Sequence, residues 1–84
     1  MVINPDRRTM FTDLYRLAEF YEQPPFKPGD IDGNANWFVM AQEKALMPFL
    51  MLHGKDEMAV GLAMAILEDA NRQAVEMNER VNVL

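Results

Sequence analysis

Eighty-four residues with a formal net charge of −5, no cysteine and one histidine set narrow bounds on what this chain can be. A chain of this length makes one domain, residues 1–84, and folding hides only about 60–65% of its unfolded surface, so its core is small. The missing cysteine excludes disulfides, thiol catalysis and Cys-based zinc sites; serine is absent too, so neither a Ser–His nor a Cys–His nucleophile can be written.

The first element starts at Asn4-Pro5-Asp6. Asn suits the N-cap, Pro the first helical position, and Asp the positive end of the helix dipole. Phe11, Leu14, Tyr15, Ala18 and Tyr21 then recur at three- and four-residue steps, with Met10, Leu17 and Phe20 widening the apolar arc. Asp13, Arg16, Glu19 and Glu22 take the other side. The helix must end near Gln23, because Pro24 and Pro25 cannot continue it.

Residues 24–34 read as a stiff, largely extended loop with three Pro and two Gly, pinned to the helices by Phe26 and Ile31. A second helix is expected from about Asn34 to Asn36, capped by one of these or by Asp32, and carrying Trp37, Phe38, Met40, Ala41, Ala45 and Leu46. Pro48 removes a backbone hydrogen bond within it and predicts a kink or break. The segment resumes as Phe49 to Leu52 and stops at His53-Gly54, with Gly suited to a left-handed C′ position.

Asp56 and Glu57 open the third helix. Ala59, Leu62, Ala63, Ile66, Ala70, Ala74, Met77 and Val81 form a stripe at helical spacing. Its first half, Ala59 to Leu67, is apolar on every side, whereas Glu68 to Asn82 is amphipathic. No segment alternates at the period of a strand. The expected fold is therefore all-α: a three-helix, up-down-up bundle with its second helix kinked or broken near Pro48.

Four patterns invite a chemical reading. Asp32, Asn34, Asn36 and Glu43 fall at positions 1, 3, 5 and 12 of an EF-hand calcium loop, but Trp37 stands where the loop needs Gly. Turn and capping residues explain the same spacing. His53 with the eight Met suggests an axially ligated haem only in the abstract, since no attachment motif accompanies them; gap-filling by Met is the plainer account. Glu68, Asp69, Glu76 and Glu79 make a solvated face in which Glu76 pairs with Arg72 or Arg80. The helix–Gly54–helix arrangement resembles a helix-turn-helix, but its second helix, Glu57 to Met64, offers almost nothing to a base edge or phosphate. No metal, cofactor, catalytic residue or nucleic-acid partner is expected.

The N-terminus lacks the charged and apolar regions of a signal peptide, and the apolar runs Ala45 to Leu52 and Met58 to Leu67 are too short for a bilayer. An acidic surface also disfavours phosphate backbones and anionic membranes. The expectation is a soluble, cytoplasmic protein with no membrane partner.

What remains is an apolar excess: half of the residues are hydrophobic. A single layer of three helices cannot cover every side of both Leu46 to Leu52 and Ala59 to Leu67. The natural outlet is a second copy, with Leu50, Val60, Gly61, Met64, Ala65 and Leu67 as candidate interface residues and the small side chains at 61 and 65 permitting close helix approach. The functional expectation is a non-enzymatic helical interaction or structural module that forms a homodimer. The competing outlets are a heterologous protein partner, as for a small acidic regulator that blocks a basic site on a nucleic-acid enzyme, and a monomer that buries everything.

Overall fold

The computed structural model describes residues 5–80, and among them the fold is all-helical with no strand. Helix α1 spans Pro5–Glu22, α2 Ile31–Ala41, α3 Met47–His53 and α4 Glu57–Glu79, with a π-helical turn, Gln42–Leu46, joining α2 to α3. The backbone stays helical from Ile31 to His53, so α2, the π turn and α3 form one helical body and the bundle has three.

Boundaries follow local chemistry. Pro5 opens α1, and Pro24-Pro25 stand just beyond its end. Asn4, the expected cap, lies outside the described residues, as do Val81 of the expected third-helix stripe and Asn82 at the expected end of that helix. Asp56 caps α4 by accepting from the Met58 and Ala59 amides at 3.0 and 3.5 Å.

The second body starts earlier than the sequence suggests. Its cap is Asp30, whose Oδ1 accepts from the Gly33 amide at 3.1 Å, and the helix begins at Ile31. Asp30 thus supplies the cap expected of Asp32, Asn34 or Asn36. An earlier start also turns Ile31 outward: it is 59% exposed, while Phe26 alone anchors the loop in the core. Gly29 is where the loop needs glycine, at φ 72°, the one positive φ among the described residues. Gly54 is right-handed, at φ −65°, so the C-cap there is not the left-handed kind anticipated.

The π turn directly precedes Pro48. The Met47 amide donates to the Gln42 carbonyl, five residues back. Proline cannot donate and its ring crowds the carbonyl four residues earlier, so a wider turn relieves the crowding without ending the helix.

Contacts at the two ends of the bundle give its topology. Arg7 reaches Asp56 at 3.4 Å near the starts of α1 and α4, while Glu22 and Asp69 flank one groove farther along both. These helices therefore run parallel. The second body runs against them, with His53 near Asp13 and Trp37 beside Phe20 and Tyr21. This is the up-down-up order. The core comprises Met10, Leu17 and Tyr21 of α1, Ala41, Leu46 and Phe49 of the second body, and Ala59, Ala63, Leu67 and Ala70 of α4. Buried alanines at 59, 63, 70 and 74 leave α4 a smooth face, on which its neighbours within the chain can lie close.

Candidate interaction surface

Three sets of polar contacts between elements fix how the helices meet. Asn34 is 2% exposed and fully partnered: its Oδ1 accepts from the Lys27 amide at 2.8 Å, and its Nδ2 donates to the Lys27 carbonyl at 2.9 Å and to Asn78 Oδ1 at 2.8 Å. This side chain ties the loop and the start of α2 to the end of α4. Alongside it, the Gly29 amide donates to the Met77 carbonyl at 2.8 Å. At the other end His53 Nε2 lies 2.8 Å from Asp13 Oδ2, and its ring packs on Phe49 with centroids 5.0 Å apart. The sequence placed His53 at the end of the second helix without naming a side-chain partner for it. Arg7 completes the set, bonded to Asp56 and lying 3.5 Å from the Met58 sulfur.

The residues at calcium-loop positions are placed otherwise. Asp32, Asn34 and Asn36 lie within α2 and Glu43 within the π turn, so no loop gathers them, and the Asn34 amide is committed to Lys27 and Asn78. Among the described residues no three His, Cys, Asp or Glu side chains converge as metal ligands would. On the outer face of α4 Arg72 bonds Asp69 and, at 3.5 Å, Glu76. The hydrogen bond from Arg72, reinforced by one from Gln73, holds the exposed Asp69 carboxyl below its ordinary range.

The interface candidates divide. Leu67 is 9% exposed and belongs to the chain's own core; Leu50 and Val60 are half-buried. Gly61, Met64 and Ala65 are exposed, and a Cβ built on Gly61 meets nothing within 4 Å. Exposed Met58 and Leu62 flank Gly61. On the second body Met47, Met51 and Leu52 also face solvent, Met51 at 84% exposure.

One surface was not singled out from the sequence. Between the parallel helices α1 and α4 runs an open groove of about 780 Å³, with Phe11, Leu14, Tyr15 and Ala18 on one side and Leu62, Ala65 and Ile66 on the other. Phe11 and Tyr15 are 47% and 67% exposed, although the sequence placed both on the buried face of their helix. The available signal was the width of the apolar arc on α1, which exceeds what one packed layer can cover. Glu19, Glu22 and Asp69 border the same groove, and no Lys or Arg lines it.

Tyr21 is also among the lining residues. Its ring meets Trp37 edge-on at 5.8 Å and its hydroxyl is buried without a hydrogen-bond partner. Burial pushes that hydroxyl above the ordinary tyrosine range, because the phenolate would lose its hydration.

No helix among the described residues is long and apolar enough to cross a membrane. Compared with known proteins, the chain matches no family model, no curated protein and no solved structure.

Proposed function

We propose that this chain is a non-enzymatic, cytoplasmic helical interaction module that pairs with a second copy through the start of α4, with the second helical body bending at its π turn to flank the contact. The observation that carries this reading is the open space over Gly61, framed by the exposed Met58, Leu62 and Met64. With no side chain at 61 and only a methyl at 65, a second helix can approach to backbone distance. Covering what remains exposed of the three large side chains favours association by roughly 1 kcal/mol each. Half-buried Val60 of α4 and, on α3, half-buried Leu50 and exposed Met47 and Met51 add further apolar side chains for a partner to cover.

The test is light scattering coupled to size exclusion across a dilution series. The expected mass is that of two chains at high concentration, falling towards one on dilution. Gly61→Leu should give a single-chain mass throughout while helix content by circular dichroism is unchanged, because a Cβ at 61 meets nothing within 4 Å and the larger side chain fills the approach. A single-chain mass for the unaltered protein at every concentration would end this reading.

A further inference from the structure

We infer that the groove between α1 and α4 is the docking site for an amphipathic helix of another protein, one that carries lysine or arginine beside its apolar stripe. This goes beyond self-pairing at Gly61 and uses the adjoining face of α4, with Leu62 and Ala65 on the border between the two.

The shape specifies a helix. From Phe11 to Glu22 the α1 side extends about 16 Å, close to three helical turns, and the groove is open along the surface. Two parallel helices with an apolar seam offer the place that a further helix takes in a larger bundle, and Phe11, Tyr15 and Leu62 supply partly exposed side chains to pack against its stripe.

Charge specifies the partner. Glu19, Glu22 and Asp69 border the groove. Among the described residues neither Glu19 nor Glu22 makes an ion pair, and Asp69 has its contact with Arg72. The two glutamates also stand in the last turn of α1, which has no basic residue. The carbonyl end of a helix carries partial negative charge, so carboxylates there oppose the dipole and weaken the helix that holds them. A cation seated between them relieves both the mutual repulsion and the clash with the dipole. A second copy of this chain brings a net charge of −5 to the same rim, which disfavours it as the occupant.

The experiment uses two synthetic helical peptides of about 18 residues with the same leucine stripe, one flanked by lysines and the other by glutamates, titrated against the whole protein by fluorescence anisotropy. The lysine peptide should bind, more weakly as salt rises, and the glutamate peptide should bind at least about tenfold more weakly. The double change Glu19→Lys with Glu22→Lys should reverse that preference, and Tyr15→Asp should weaken the lysine peptide's binding. Circular dichroism and Trp37 fluorescence confirm that each variant is folded. Gly61→Leu should leave binding intact, which separates this result from the fate of self-pairing. Equal affinity for the two peptides, binding of neither, or a preference unaltered by the double change would overturn the proposal. So would a Phe11→Asp variant that converts a two-chain mass to a one-chain mass, since the groove would then belong to a second copy.

Discussion

Asn34 and Asn78 meet across 44 residues of sequence, the side-chain amide of the first donating to the carbonyl of the second at 2.8 Å. Because Asn34 also makes two hydrogen bonds to the backbone of Lys27, one buried side chain joins the loop, α2 and the end of α4. Asn34→Ala leaves the part-buried Lys27 amide and carbonyl without their partner and empties the buried site of the Asn34 side chain. The expected cost is about 2–4 kcal/mol, a fall in melting temperature of roughly 10–20 °C in a domain of this size. Asn78→Ala removes one of the three bonds and should cost about 1 kcal/mol. Thermal melts followed by circular dichroism check both; equal effects from the two changes would contradict the central role of Asn34.

The two helical glycines at 33 and 61 should respond oppositely to the same substitution. At Gly61 a methyl meets open space, so Gly61→Ala should stabilise the dilute monomer by about 1 kcal/mol through helix propensity alone. At Gly33 the methyl collides with the Asp30 carboxylate that caps α2. Losing that cap costs about 1 kcal/mol and cancels the gain in propensity, so Gly33→Ala should bring no stabilisation. Chemical denaturation of the pair at one low protein concentration makes the comparison.

Tyr21 predicts an alkaline limb in the stability profile. Its hydroxyl titrates higher in the folded chain than in the unfolded one, so the neutral form favours folding. That contribution is complete below the unfolded tyrosine pKa of about 10 and disappears as pH rises through the folded value. Tyr21→Phe removes both the ionisation and an unpartnered buried hydroxyl. It should therefore stabilise the fold by about 1 kcal/mol at neutral pH and flatten the loss of stability above pH of about 10. Urea titrations between neutral and alkaline pH read out both effects; an unchanged alkaline limb would mean that other groups cause it.

Asp13 and His53 join α1 to α3 through one contact whose side chains are 23% and 11% exposed. A double-mutant cycle with Asp13→Asn and His53→Gln should return a coupling of about 1 kcal/mol, larger than exposed pairs usually give. His53→Ala should cost more than His53→Gln, since it also empties the space beside the Phe49 ring. Additive single changes would reduce the contact to coincidence of position.

Several elements follow from local sequence alone. Pro5, the Pro24-Pro25 pair, the Asp56 cap and the three- and four-residue apolar steps mark out three helical bodies, because capping and proline geometry act within a few residues. The alanine stripe at 59, 63, 70 and 74 likewise announces its burial. Only the tertiary structure decided which part of the α1 arc faces inward. Met10, Leu17 and Tyr21 are buried and Phe11 and Tyr15 are left on the groove, although both sets keep helical spacing. Periodicity fixes the angles between side chains on one helix, but their inward direction depends on where the neighbouring helices lie. The second body shows the same limit. Asp30, Asp32, Asn34 and Asn36 all suit a cap or turn, and Asp30 serves because Asn34 is engaged by Lys27 and by Asn78, distant in sequence. The groove is a product of the same choice, made by the packing of α1 against an alanine face too narrow to cover all its apolar side chains.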